Sequence, residues 1–553
     1  MRPRGARAVI LHLRKKGSME IRLVFGREEK SLGMSKQGMS KAALMLVVGT
    51  LLSRIFGLVR ETVIAYQFGA TAQTDAYLVA LIVPLAISGI IVSALSTAFI
   101  PVFTEYRLQS GEKEAWKIAS AVINLAIIIL LVATVSFFLA SPLFISLLAP
   151  GLAAETKAMA IQLARLLAPA IIITGIVGLA TAVLHSYRHF TYPIFAGFFH
   201  NVGIIGGALL LGGFLGINGL AVGGVAGLLA NMLMIFIPFV SQRKFYQPTF
   251  DGLRHPGTRK IGLLLIPFLV GFATGQINML VDRILASWLV EGSIAALSFA
   301  DRLIGLPLGI FAGAVTTAAY PYLSEQAAVR NITELRRTVS EGLRILWFIV
   351  FPLGVGLKVL GEPIIRLLFE RGAFDVAATG MTAIALFYYA LGIYAHAANA
   401  LLSRVFFALQ DTSTPIKLGL LSTGLNIVLN LILVRFMAHG GLALATSISG
   451  TVLFLMLAVT LRRRLGHMDG WRLLRSISKF AAASVLMGLA VAAAYRYSAI
   501  FFNPALFSHL LLQTAILILL GGAIYFAAAA LLRTEEPGWL LRRMREMVSQ
   551  KNG

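Results

Sequence analysis

The tightest constraint on this chain is a repetition: from residue 41 to residue 532, apolar runs of roughly 20 residues or more recur with short polar connections between them. A helix crosses the hydrocarbon of a bilayer in about 20 residues, and it satisfies its own backbone polar groups while doing so. The runs lie at 41–66, 75–104, 115–140, 158–185, 193–213, 218–241, 260–289, 294–323, 342–369, 378–408, 415–437, 441–461, 477–497 and 507–532. They predict an all-α polytopic membrane protein of fourteen transmembrane helices. Only 13% of the residues are charged, against roughly a quarter in a soluble domain, so a large soluble domain has no room.

The charges that remain are placed with a bias. Lys and Arg crowd the stretch before residue 42 and the connections after even-numbered spans, among them Arg107, Lys113 and Lys117, then Arg243 and Lys244, then Arg336 and Arg337, then Arg462, Arg463 and Arg464. Connections after odd-numbered spans hold few, such as Lys157, Arg371 and Arg496. The positive-inside rule then puts both termini in the cytoplasm. The net charge of +24 reads the same way, as topology and contact with anionic lipid, and no nucleic-acid partner is expected. Residues 1–40 form a basic tail without the apolar core of a signal peptide. With Met34 and Met39 just before the first span, that stretch reads either as a cytoplasmic tail or as a start assigned too early. Residues 533–553 form the second cytoplasmic tail.

The order of the spans shows an internal repeat. Thr97-Ala-Phe-Ile-Pro101-Val-Phe-Thr-Glu105 closes the second span, and Thr317-Ala-Ala-Tyr-Pro321-Tyr-Leu-Ser-Glu325 closes the eighth, at an offset of 220 residues. A weaker echo pairs the Pro193 and Pro415 regions at an offset of 222. The chain therefore divides into an N-terminal lobe at 41–241, a C-terminal lobe at 260–461 and two further spans at 477–532. Six spans separate equivalent positions, so the lobes share one orientation, are related by an axis along the membrane normal, and hold a substrate site between them. Pro84, Pro169, Pro267, Pro307 and Pro352 lie inside spans, where a missing N–H bends a helix, as transporters need.

Charges inside spans are expensive and mark function or a partner. In the first span, Arg54, Gly57 and Glu61 share one helical face, while Arg60 points elsewhere and lies within reach of an interface. Arg302, in the Asp301-Arg302 pair of the eighth span, sits near mid-membrane. Arginine stays charged and binds phosphate bidentately, so Arg54, Arg60 and Arg302 form a candidate receptor for a diphosphate headgroup. Asp75 opens the second span, where a carboxylate serves as a helix cap or as a cavity group. Asp282 with Asn426, Asn430 and Thr446 offers a carboxylate, two amide oxygens and a hydroxyl to a hard cation; helix–helix hydrogen bonding is the competing use. No cofactor is expected beyond Na+ or H+ as a coupling ion. No enzyme constellation appears: Walker A is missing, the nine histidines have no metal or triad spacing, and the absence of cysteine excludes thiol catalysis, disulfides and zinc–cysteine sites.

Several motifs together resemble the MurJ (MviN) family, the lipid II flippases of the MOP exporter superfamily. They are Ser53-Arg54…Gly57…Arg60-Glu61, Phe68-Gly69…Thr74-Asp75-Ala76, Ala300-Asp301-Arg302-Leu303…Pro307, Leu368-Phe369-Glu370-Arg371-Gly372-Ala-Phe374 and Ala408-Leu409-Gln410-Asp411-Thr412…Thr414-Pro415. The resemblance spans about residues 40–535. It implies fourteen helices in two lobes around a V-shaped central cavity, and alternating access that carries an undecaprenyl-diphosphate-linked glycan, lipid II, from the cytoplasmic to the outer leaflet for cell-wall synthesis. It implies cavity residues at Ser53, Arg54, Arg60, Glu61, Asp75 and Arg302, sodium near Asp282, Asn426, Asn430 and Thr446, and membrane lipids and the cell-wall synthesis machinery as partners. One departure stands out: Ser88 and Ser93 occupy places where relatives carry Arg and Glu, and Gly305 replaces a position often acidic. Flipping of another polyprenyl-diphosphate glycan and cation-coupled multidrug export are the alternatives, and cavity arginines suit a diphosphate better than a cationic drug.

Overall fold

The computed structural model describes residues 36–536 apart from 95–97, 188, 190, 195, 241–245, 247, 467–469, 499 and 504–505. Most of the basic N-terminal tail, residues 1–35, and residues 537–553 of the C-terminal tail lie outside the described residues. Among those described there is no strand. The principal helices are α1 (Lys36–Phe68), α2 (Ala72–Ile91), α3 (Glu112–Leu139), α4 (Ala154–Ser186), α5 (Gly197–Leu215), α6 (Ile217–Phe239), α7 (Pro256–Ala286), α8 (Ser293–Ala328), α9 (Ile332–Leu368), α10 (Val376–Ala408), α11 (Ser413–Leu465), α12 (Gly470–Ser498) and α13 (Phe507–Leu531). Among the described residues, eleven of these helices, α2–α6 and α8–α13, are long and apolar enough to cross a membrane. Large apolar side chains cover the outside, with Phe214 89% and Leu519 74% exposed. A surface of that kind is stable against lipid and a liability in water.

The 53-residue α11 is a helical hairpin. Ala438, at φ 47° and ψ −131°, leaves the helical region and reverses the chain. The arms then run antiparallel: Ser422 Oγ donates to the Ser449 carbonyl at 2.9 Å and Asn426 Nδ2 to Ser449 Oγ at 3.2 Å. The gap between the apolar runs at 415–437 and 441–461 anticipates this turn.

Helices α5 and α6 meet backbone to backbone. A Cβ on Gly203 would fall within 2.6 Å of the Gly223 carbonyl oxygen, and one on Gly227 within 2.8 Å of the Phe199 carbonyl oxygen. Small residues give such close approach, which is how helices associate where lipid removes the hydrophobic drive between them.

One end of the molecule is knitted shut between the first and second halves of the chain. The Ala373 amide donates to the Tyr66 carbonyl at 2.8 Å, and the Gly151 amide to Ser287 Oγ at 3.1 Å. Gly292 has φ 86° and packs its bare Cα against the Ala70 carbonyl, a position no side chain fits. Helix α7 joins the halves along its length. Its first turns pack Ile261 into a core with Phe99, Phe103 and Trp116, and Lys260 bridges Glu105 at 2.6 Å. Its last turns reach α11 through Asp282 and Asn430. The last described residues, Glu535 and Glu536, bind Arg344, early in α9, and Glu535 also binds Arg472 of α12 at 2.9 Å.

Candidate functional site

Helices α1 and α8 face each other antiparallel, and their charged faces meet in register. Arg54 lays its guanidinium on the bare Cα of Gly309, in the π-helical stretch Leu308–Ala312 that follows Pro307. Seven residues along each helix, Arg302 Nε stands 3.5 Å from Glu61 Oε1. Seven residues is two turns, so each pair projects from a common stripe, as the spacing of Arg54 and Glu61 predicts. Arg302 is half exposed, and a Cβ on Gly57 or Gly305 would meet open space. The stripe therefore borders open space.

Arg60 turns away into α5. Its Nη1 donates to Asn201 Oδ1 at 3.0 Å, its Nη2 donates to Glu61, and its side chain is 18% exposed. Glu61, 11% exposed, thus holds one arginine from each half of the chain. Ser53 lies against Gly197, and its carbonyl accepts from Asn201 Nδ2 at 3.3 Å. Of the six residues expected at the substrate site, Glu61 brings Arg302 and Arg60 together, Arg54 lies two turns away on Gly309, and Ser53 and Arg60 both bond Asn201. Sequence reasoning missed Asn201 and Gly309. Asn201 carried one faint signal, an isolated amide in an apolar span.

Asp75 is apart from this group. It is 3% exposed, and its two carboxylate oxygens accept the amides of Gly292 and Ala295, each at 2.7 Å. Those amides open α8, so Asp75 caps a helix of the other half, where orphan N–H groups and the helix dipole favour an anion. Ser88 Oγ donates to the Pro84 carbonyl at 2.6 Å and bonds Thr174 Oγ1, leaving this stretch of α2 neutral. The side chain of Ser93 lies outside the described residues.

The four expected cation ligands do come together. Asn430 Nδ2 donates to Asp282 Oδ1 at 2.6 Å and to Asn426 Oδ1 at 2.8 Å, and Asn426 Nδ2 reaches Thr446 Oγ1 at 3.5 Å. Asn430 Oδ1 is buried without a partner. Beside Asp282, Arg283 donates instead to the Ile294 carbonyl at 3.1 Å, so the adjacent pair does not neutralise itself by direct contact.

A family model described as lipid II flippase MurJ matches residues 64–516. A Thermotoga maritima protein named probable lipid II flippase MurJ is 32% identical over 508 residues, covering 91% of this chain and 98% of its own. One of the same name from Vibrio cholerae is 32% identical over 466 residues, covering 81% and 87%. A solved structure of lipid II flippase MurJ in an inward closed conformation superposes with a TM-score of 0.74 at 27% identity, covering 88% of this chain and 98% of that one. An inward-facing multidrug resistance transporter of the MATE family and MOP superfamily shares the fold, with a TM-score of 0.66 at 15% identity over 76% of this chain and 96% of its own.

Proposed function

Since this multi-pass membrane chain belongs to the lipid II flippase MurJ family, we propose that it flips lipid II, the lipid-linked peptidoglycan precursor, from the cytoplasmic to the outer leaflet of the bacterial inner membrane. It moves its substrate rather than converting it. The observation that carries this reading is the half-exposed Arg302, held opposite Glu61 and two turns from the Arg54–Gly309 contact. Arginines at that depth attract a diphosphate and repel a cationic drug. An apolar groove of about 460 Å³ between α9 and α12–α13, lined by Pro352, Gly356, Met487, Gly521 and Phe526 among others, suits an isoprenoid tail.

The architecture proposed with this function has fourteen spans. They are the eleven apolar helices, with α11 counted twice across Ala438, together with the charge-bearing α1 and α7. Residues 41–241 and 260–461 form two lobes of six, residues 477–532 add two spans, and the basic tails face the cytoplasm. The interdigitated end built on Asp75, Tyr66 and Gly151 is then the outer face, closed while the arginines await substrate from within. Alternating access opens that end and closes the other.

We further propose that Asp282, Asn426, Asn430 and Thr446 hold a sodium ion. The residues fit: a half-buried carboxylate lies beside an unpartnered amide oxygen, with the neutral oxygens of Asn426 and Thr446 close by. When bound, the ion supplies the charge that neutralises Asp282; the residues themselves fasten α7 to α11.

Complementation in cells depleted of their own lipid II flippase tests the function. Rescue is expected, and Arg302→Ala at unchanged membrane levels abolishes it. A well-expressed parent that fails to rescue overturns the reading.

A further inference from the structure

Beside the Asp282 group lies a second polar space that this group does not explain. It is a cleft of about 360 Å³ between α7, α10 and both arms of α11. One end is at Pro415, in the first turn of α11; the other is at Thr446 and Asn278. Thr446 Oγ1 is itself within reach of Asn426, so the cleft ends on the proposed cation ligands.

Its lining is unusual for the interior of a membrane protein. Asn399 is 8% exposed and donates to the Gly450 carbonyl at 2.9 Å, but its Oδ1 is buried without a partner. Asn278 Oδ1 is likewise buried without a partner. Both residues border the cleft, as does His396, which packs on Gly450. A buried carbonyl oxygen with no donor costs about 1–3 kcal/mol unless water or an ion meets it. Two residues that carry such oxygens border one cleft, where a turn of either amide would present its oxygen to an occupant that donates hydrogen bonds or carries positive charge. No carboxylate lines the cleft, so nothing there would trap a divalent ion. Neutral oxygens leading to one half-buried carboxylate, Asp282, suit transit of a hydrated monovalent cation.

We propose that this cleft is the aqueous route by which sodium passes between the Pro415 side of the membrane and Asp282, with Asn278, Asn399 and Thr446 taking the place of water around the ion. The inference rests on the cation reading given above. Gly419 supplies the handle for a test: it lines the cleft, and a Cβ added there meets open space.

The chain contains no cysteine, so Gly419→Cys introduces a single thiol. In proteoliposomes, a membrane-impermeant cationic methanethiosulfonate should modify G419C and leave the membrane-facing control L420C unmodified. Before modification, G419C should bind radioactive sodium as the parent does. After modification, sodium association should slow about tenfold, the effect of raising a barrier by about 1.4 kcal/mol. Sodium-dependent thermal stabilisation at equilibrium should persist, because Asp282 is untouched. Gly419→Leu, which fills the same space, should reproduce the slowing. An unreactive G419C, or association at the parental rate in both plugged forms, overturns the route while leaving the cation site standing. A parent protein with no sodium-dependent stabilisation overturns the cation reading and the route with it.

Discussion

The carboxylate of Asp75 accepts the amide of Ala295 at 2.7 Å, and the two residues stand 220 positions apart, the offset of the internal repeat. In the two-lobe arrangement proposed above, a contact between equivalent positions falls on the axis that relates the lobes. The point where the halves are latched is thus also the point about which they would rock.

Removing that latch should loosen the closed end. In Asp75→Ala the amides of Gly292 and Ala295 lose their acceptor, at about 1–3 kcal/mol if they stay buried. Hydrogen exchange at residues 292–295 should speed up, and disulfide trapping across Tyr66 and Ala373 should become less efficient. Unchanged exchange would remove Asp75 from this role.

Glu61 should prove to be a structural anchor as well as a cavity group. In Glu61→Ala, Arg60 keeps Asn201 but loses the carboxylate that meets it; breaking a fully buried ion pair costs about 3–5 kcal/mol, and this largely buried one should cost toward the lower part of that range. Thermal stability in detergent should fall clearly below that of Arg302→Ala, whose side chain is half exposed. Equal melting temperatures would contradict the assignment.

The α5–α6 contact should tolerate nothing larger than hydrogen. Gly223→Ala places a methyl against the Gly203 carbonyl, and overpacking of this kind costs about 1–3 kcal/mol. A lower yield of folded protein is expected, whereas Gly213→Ala, which meets open space, should behave as the parent.

Stability should also fall in acid through Asp411, in the connection between α10 and α11. Partial burial pushes its carboxyl up, but hydrogen bonds from Thr414 and Ser413 and the Arg464 guanidinium at 2.6 Å outweigh that and hold it at about 2. An unfolded Asp titrates near about 3.9. Its contribution is therefore present above about pH 4 and is lost as the pH falls toward about 2. Asp411→Asn should flatten that part of the melting-temperature profile; an unaltered slope would assign it to other groups.

How much of this was legible in the sequence depended on the range of each interaction. The stripe of Arg54 and Glu61 could be read because the helical period alone sets it. The turn at Ala438 could be read because it interrupts two apolar runs. The pairing of Arg60 with Asn201 could not, since the partner lies 141 residues away. Asp75 has backbone amides for partners, and these leave no trace in residue identity. The cleft around Asn278 and Asn399 is bounded by three helices, one of them a hairpin, and no single segment announces it.

The two arginines on Glu61 carry one last consequence. In the proposed function, an anionic headgroup that takes hold of Arg302 draws it from a carboxylate it shares with Arg60, so recognition is an exchange of counterions rather than an addition. Affinity is then fixed by a difference between two similar attractions, which stays small even where each attraction is large. A carrier gains from that arrangement, because a cargo held by a small margin can be released on the far side.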